Sequence, residues 1–244
     1  MFRIDIRDTI KQFQQKIDRV QNQAQPKVVE LALNWTATDV QIDLTAEMLE
    51  VFDRPTPFTL NSLFTQPALP GRLESHVYFK DFAPKGTAAG VYLAPEIEGG
   101  GRDLKRFEQA LRGRGLLPSG MYAMPGAKAE IDAYGNMSRG QIVKILSALG
   151  AQRTGGYTSA RNGRGRGVRR NEEYFVPKPG RGLAPGVYQR LSGHRVAPVL
   201  IFTRAPAYRA RFDFTGVGQR SALAWMPRNY QRAWDYAATK GLLR

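Results

Sequence analysis

Four carboxylates near the middle of the chain are the residues best suited to metal-dependent chemistry. Glu96 and Glu98 alternate at the end of a Gly- and Pro-rich stretch, and Asp103 and Glu108 follow them. Carboxylate oxygens are the ligands that Mg²⁺ prefers, so this group could serve a metal-dependent nuclease. A structural interpretation competes with it, because Asp103 can stabilise a helix N-terminus and Glu108 would lie on the solvent side of that helix beside Arg112. The nuclease is therefore an alternative, and we assign no metal site.

Other common catalytic chemistries lack their residues. The chain has no cysteine and only two histidines, His76 and His194. Thiol nucleophiles, disulfides, cysteine-based zinc centres and a three-histidine zinc site are therefore excluded. No glycine-rich nucleotide loop, H-E-x-x-H sequence or G-x-S-x-G elbow occurs. We expect no cofactor, no catalytic residue and a function without turnover.

A run of arginines separated by glycines is the strongest binding signal in the sequence. It contains Arg161, Arg164, Arg166, Arg169 and Arg170. The guanidinium fork suits phosphate, and five phosphate contacts would give a salt slope of about −4.5 for DNA affinity. No aromatic residue lies within the run, so it lacks a stacking platform and predicts contact that is blind to base sequence. We expect these five residues to bind DNA or an acidic partner.

The charge of the whole chain is biased in the same direction. Residues 1–80 carry a net charge of −1, residues 81–150 a net of +2 and residues 151–244 a net of +14, within a total of +15. This asymmetry indicates an anionic partner held against one part of the molecule; a generally basic soluble surface is the alternative. The 42% hydrophobic and 23% charged residues are typical of a globular protein and exclude intrinsic disorder throughout. Neither a signal peptide nor a membrane span is expected.

Two stretches of helical periodicity open the chain. A first apolar seam, on a helix from about Asp5 to Gln23, consists of Ile6, Ile10, Phe13, Ile17 and Val20. A second helix should begin near Pro26 and end before Pro55. We expect a helical hairpin over residues 1–55 that packs on itself or on a neighbouring subunit, so the first seam is the candidate subunit interface.

The remaining sequence predicts an α+β fold with a small antiparallel sheet. A strand over 73–80 should place His76 on its solvent face, and 83–101 should be a loop. Amphipathic helices are expected over 104–113 and, after a capping box of Ser138 and Gln141, up to Gly150. An antiparallel meander should contain strands at 174–176, 186–191 and 198–203, followed by a C-terminal helix with Pro227 near its start.

The expected organisation is one compact domain with extensions. Its segments are the hairpin over 1–55, a mixed region over 56–150, the basic Gly/Arg loop over 151–172, and the strands and C-terminal helix over 173–244.

Five short segments carry a resemblance to a known family. They are Thr56–Ser62, Tyr92–Arg102, Gly186–Arg190, Pro198–Phe202 and Tyr208–Phe212. In their order and spacing these segments resemble the minor tail protein Z, or tail completion (neck), family of tailed bacteriophages. The arginine run and the stretch over 113–150 depart from the shorter members of that family.

The resemblance implies a virion structural protein at the head–tail junction, made in the host bacterial cytoplasm. It implies a ring, six- or twelve-fold, around the DNA channel, with other neck and tail proteins as partners. DNA would be contacted without sequence specificity, and no membrane contact is expected. The alternatives are a metal-dependent nuclease, a sequence-independent nucleic-acid-binding protein and an RNA-associated basic protein.

Overall fold

A computed structural model describes residues 3–5, 26–80, 82–83, 86–151, 173–178, 180 and 182–242. Its helices in chain order are α1 (Pro26–Val51), α2 (Pro57–Leu60), α3 (Ala89–Glu98), α4 (Arg106–Gly113), α5 (Arg139–Ala148) and α6 (Phe214–Thr239). Its strands are β1 (Arg3–Asp5), β2 (Leu63–Gln66), β3 (His76–Phe79), β4 (Met121–Pro125), β5 (Tyr174–Phe175), β6 (Gly186–Arg190) and β7 (Val196–Arg204). Helices combined with two small antiparallel sheets confirm the predicted α+β class.

The chain divides into two compact units. Unit 1 comprises Met1–Gly99 and Arg209–Arg244, and unit 2 comprises Gly100–Tyr208. Unit 2 is thus a continuous segment inserted into the sequence of unit 1, and these boundaries differ from those of the expected segments. The ends of unit 2 are joined by a backbone pair, because the N–H of Gly100 donates to the Tyr208 carbonyl at 3.0 Å and the N–H of Tyr208 donates back at 2.7 Å.

Unit 1 is built on the two long helices α1 and α6. The α1 helix confirms the second predicted helix, whereas α6 begins well before Pro227, which lies in its interior. Proline rules favour the first turn of a helix, so the prediction missed the half of α6 that precedes Pro227. The predicted loop over 83–101 is also wrong, since α3 occupies most of it despite Pro95. No helix of the described part of the chain is long and apolar enough to cross a membrane.

Polar contacts fix the register of α1 against α6. The Asp43 carboxylate accepts a hydrogen bond from Ser221 Oγ at 2.6 Å and another from Trp225 Nε1 at 2.9 Å. One turn away, Asn229 Nδ2 donates to the Asp39 carboxylate at 2.7 Å. A shift of one turn would leave these groups without their partners, so the contacts specify a single alignment of the apolar faces.

The sheet of unit 1 has the order β1–β3–β2 and packs its Val77 and Phe79 side into the core. The ring of Phe79 stacks on Phe214 with centroids 5.0 Å apart. His76 is fully buried, which corrects the prediction of a solvent-facing histidine. Its Nε2 lies 3.7 Å from Glu74 Oε1. Alternation along a strand predicts an exposed side chain only where one face of the sheet meets water. The consecutive residues His76 and Val77 are both buried here, so both faces of β3 are covered at this point.

The sheet of unit 2 has the order β4–β7–β6–β5, entirely antiparallel. The three predicted strands form the expected meander, and β4, which was not predicted, pairs with the other edge of β7. The helices α4 and α5 confirm the two predicted amphipathic helices and pack on one side of this sheet. The Gln141 side chain makes no capping box. It accepts from the N–H of Glu130 at 2.8 Å and donates to the carbonyl of Lys128 at 2.9 Å.

Glu108 joins α4 to the edge of this sheet. Its side chain is 0% exposed, which corrects the prediction that it lies on the solvent side of its helix. Arg102 donates two hydrogen bonds to its two oxygens, each at 2.7 Å. The N–H of Lys105 donates at 2.6 Å, and the N–H of Ala123 on β4 donates at 2.7 Å. One carboxylate therefore caps a helix and satisfies a donor at the edge of β4.

The contacts of Glu108 predict how stability depends on pH. Burial by itself raises the pKa of this carboxyl, but the hydrogen bonds from Arg102 and from the Ala123 and Lys105 N–H groups outweigh burial and hold the pKa below its ordinary value. A depressed folded pKa contributes stability above the unfolded pKa, and that stability is lost as the pH falls through the folded pKa. We expect the urea midpoint to fall below about pH 5. The fall should be shallower in a Glu108→Gln variant, and parallel profiles would contradict this assignment.

Candidate nucleic-acid interface

The cationic excess of the chain belongs to unit 2. This unit contains 19 lysines and arginines against 6 acidic residues, a net charge of +13. Unit 1 contains 17 basic and 15 acidic residues, a net of +2. Unit 2 combines the basic residues of 102–150 with those of 151–208, which the charge count along the sequence had separated. An anionic partner would therefore be attracted to unit 2.

The two faces of the unit 2 sheet differ in their side chains. One face contributes Ala123, Val187, Leu200 and Phe202 to the core with α4 and α5. Strand alternation and register place other side chains on the opposite, outer face: Tyr122, Met124, Phe175, Tyr188 and Ile201. Of these, Met124 is 47% exposed, Tyr122, Phe175 and Ile201 are half-buried, and Tyr188 is buried. The outer face is thus an aromatic and apolar surface on the basic unit.

Guanidinium groups lie over two aromatic rings of this outer face. Arg190 lies over the ring of Phe175 on the neighbouring strand, 4.4 Å from its centroid. Phe175 in turn contacts Tyr188, with ring centroids 6.0 Å apart. At the other edge of the sheet, the guanidinium of Arg102 lies 4.8 Å from the centroid of the Tyr122 ring. Flat cations and flat rings are therefore combined at both edges of the face.

A bulge shapes the middle of the outer face. Val187 pairs with Leu200 and Tyr188 pairs with Pro198, so β7 contains one extra residue, Val199. Val199 and Leu200 are consecutive and both buried in the core, which keeps the apolar face of β7 continuous. Gly186 has no room for a Cβ, since one would lie 2.3 Å from the Leu200 carbonyl oxygen. The β6 and β7 strands therefore approach closely at Gly186, between Tyr122 and the Phe175–Tyr188 pair.

The sequence-predicted binding residues lie outside the described residues. This holds for Arg161, Arg164, Arg166, Arg169 and Arg170, and for the seam of Ile6, Ile10, Phe13, Ile17 and Val20. In chain order, the segment 152–172 that contains the arginines connects α5 to β5, the edge strand that carries Phe175. Sequence analysis missed Tyr122, Phe175 and Arg190. The signal for the last two was the placement of aromatic and basic residues on adjacent predicted strands.

The carboxylates of the nuclease alternative are divided between the units, and two of them, Glu96 and Glu108, are engaged in other contacts. Glu96 belongs to unit 1 and forms an ion pair with Arg211. Glu108 belongs to unit 2 and is held by Arg102. Across the described ranges, no three His, Asp or Glu side chains are grouped so that they could hold a metal ion.

A groove in unit 1 has a volume of about 350 Å³ and a largely apolar lining. Its lining residues are Pro57, Phe58, Asn61, Ser62, Lys80, Phe82 and Ala89. The Lys80 ammonium donates to the Asn61 carbonyl at 2.7 Å, so a local contact already holds the one charged side chain of this lining. This lining offers no acid–base pair for catalysis.

No family model, no curated protein and no solved structure matches the chain.

Proposed function

We propose that the protein is a structural component of a tailed-phage particle, acting at the head–tail junction as a tail completion protein. In this role it forms a ring, contacts DNA without sequence specificity and joins other neck and tail proteins. The observation that carries the proposal is the division of charge: unit 2 has a net charge of +13 and unit 1 a net of +2. A ring needs one surface for the polyanion in its channel and another for neighbouring proteins.

The charge of unit 2 supports contact with DNA through phosphates. Twelve of its basic residues are described, and several are exposed on the sheet and its turns, among them Lys178, Arg190, Arg195 and Arg204. The arginine run belongs to the same unit. Arginine binds phosphate through a planar fork and is weakly hydrated, so it suits a channel in which DNA passes without base-specific contacts.

The outer face of α1 supports contact between copies of the chain. A stripe along this helix has intervals of four and three residues: Leu31 and Trp35, which are half-buried against the core of unit 1, then Thr38, Ile42, Thr45 and Leu49. Ile42 is 58% exposed and Leu49 is 57% exposed, although α1 packs its other face on α6. The spacing equals that of the seam from Ile6 to Val20. The charges are complementary, since α1 has a net charge of −4 and residues 6–25 a net of +2.

Removing this stripe should weaken self-association. In an Ile42→Ser/Leu49→Ser variant, we expect association to weaken roughly tenfold or more, because each side chain loses apolar area that a neighbouring copy would bury. Sedimentation velocity over a range of concentrations measures the change. A Leu223→Ser/Val143→Ser variant is the control, since it removes two side chains of similar exposure, 52% and 49%, from other helices. Equal association of both variants and the parent chain would exclude the α1 stripe as an interface.

Electron microscopy tests the proposed function directly. The purified chain should form closed rings, alone or with linear duplex DNA, and antibody label should appear at the head–tail junction of particles of the phage that encodes it. A monomer under both conditions, together with particles that lack the chain, would reject the proposal. Co-purification with RNA from cells instead of with particles would favour the RNA-associated alternative.

A further inference from the structure

We propose that the outer face of the unit 2 sheet is a stacking platform for unpaired bases. On this inference the chain binds single-stranded nucleic acid more tightly than duplex DNA with the same number of phosphates. The inference rests on the proposed contact with nucleic acid and goes beyond it, because it assigns a second mode of contact and the strand form that this mode recognises.

The arrangement of rings supports stacking. Phe175 lies near one edge of the face, against the buried ring of Tyr188, and Tyr122 lies on β4 at the other edge. The strand order separates β4 from β5 by three strand spacings, about 14 Å in a flat sheet, and the pairing of Tyr122 with Thr203 and of Tyr188 with Pro198 offsets the two rings by about another 15 Å along the strands. Ile201 and the backbone of Gly186 lie between the two rings, and Met124 lies on β4 with Tyr122. A single strand that crosses the face diagonally would therefore stack separate bases on Phe175 and on Tyr122.

The charges beside the rings favour a nucleic acid over a protein partner. The exposed Arg190 presents a guanidinium plane over Phe175, and bases stack on guanidinium planes as they do on aromatic rings. The guanidinium beside Tyr122 belongs to Arg102, which is only 12% exposed in its pair with Glu108. Exposed cations follow at the strand ends and turns, namely Lys178, Arg195 and Arg204. An apolar protein surface would have to desolvate these cations without pairing them, whereas a single strand supplies bases for the rings and phosphates for the cations.

The platform and the arginine run would contribute different contacts to nucleic-acid binding by unit 2. The run from Arg161 to Arg170 contains charge without rings. The outer face contains rings with a few charges. Stacking is tolerant of base sequence because every base has a π-face, so this contact also leaves binding independent of sequence.

Fluorescence anisotropy with the full chain tests the inference. The probes are a labelled 20-nucleotide oligo-dT strand and a labelled random-sequence 10-base-pair duplex, which have about the same number of phosphates. We expect tighter binding of the single strand. A Phe175→Leu change should weaken single-strand binding by roughly 5- to 150-fold, with duplex binding and the salt slope unchanged. Tyr134→Leu, which removes a 43% exposed ring elsewhere in unit 2, is the matched control and should change neither.

A second variant separates stacking from folding. Phe175→Trp keeps a large ring at the same place and should retain single-strand affinity, so loss in Phe175→Leu with retention in Phe175→Trp supports the platform. Equal affinity for both probes, or equal losses for both probes in Phe175→Leu, would overturn the inference. It would also be overturned if polyglutamate displaced the strand fully from the wild-type chain and Phe175→Leu bound the strand with unaltered affinity. In those cases salt-dependent duplex binding would leave the proposed function standing. Failure of both probes to bind at 50 mM salt would reject the proposed contact with nucleic acid itself.

Discussion

Replacing Glu108 with alanine should lower the free energy of unfolding of unit 2 by about 3–5 kcal/mol, because it breaks a buried ion pair from one side. The variant leaves the Arg102 guanidinium, which is only 12% exposed, without its carboxylate. It also leaves the N–H groups of Lys105 and Ala123 without an acceptor. These losses act together, since a single side chain joins the start of α4 to the edge of β4.

Urea denaturation followed by two signals measures this effect. Far-UV circular dichroism follows both units, whereas the emission of Trp35, Trp225 and Trp234 follows unit 1, which contains all three tryptophans of the chain. We expect a lower midpoint in the dichroism signal. Glu130→Ala, which removes an exposed carboxylate of the same unit, is the control and should change the midpoint little. Equal midpoints for Glu108→Ala and Glu130→Ala would show that the Glu108 contacts contribute nothing to stability.

Neutralising the arginine run should remove most of the salt dependence of DNA binding. The variant changes Arg161, Arg164, Arg166, Arg169 and Arg170 to glutamine. If each arginine neutralises one phosphate, the slope of log affinity against log salt should fall in magnitude by about 4.5. The wild-type chain would then lose roughly 500-fold more affinity than the variant between 50 and 200 mM salt. Anisotropy titrations with a non-specific duplex at several salt concentrations give both slopes.

The matched control removes the same charge from unit 1. It changes five exposed cations to glutamine: Arg209, Arg220, Arg228, Arg232 and Lys240. Both variants have a formal net charge of +10, so a difference between them reports where the charge lies and not how much remains. We expect the unit 1 variant to keep nearly the full slope. Equal slopes for the two variants would show that DNA responds only to total charge and would contradict the role of the run.

Helices with a clear apolar periodicity and short strands with clear alternation were predictable from the sequence. The α1, α4 and α5 helices and the β5–β6–β7 meander follow local rules of periodicity and turn chemistry. The failures have physical reasons. Pro227 and Pro95 lie inside helices because tertiary packing supports the surrounding turns, and no local rule includes that support. The β4 strand depends on pairing with β7, which lies about 80 residues further along the chain.

The candidate site was predictable in its charge but not in its geometry. Composition indicated an anionic partner and the last part of the chain as its site. The sequence could not show that Arg190 would lie over Phe175, because that contact depends on the register between β5 and β6. For Glu108, the local sequence pattern predicted the wrong partner. Its position beside Arg112 suggested a surface pair on the helix, whereas its partner in the fold is Arg102, which precedes the helix, and Arg112 donates to the Met121 carbonyl.

The paired ends of unit 2 give the chain the architecture of an exchangeable cassette. Gly100 and Tyr208 leave the inserted body side by side, so an ancestral gene could gain or lose the intervening stretch while the flanking host domain closed over a short linker. The stretch 113–150 and the arginine run both fall within the sequence of this cassette. Transplanting it between scaffolds would then move the basic unit without redesigning the α1 and α6 helices of unit 1.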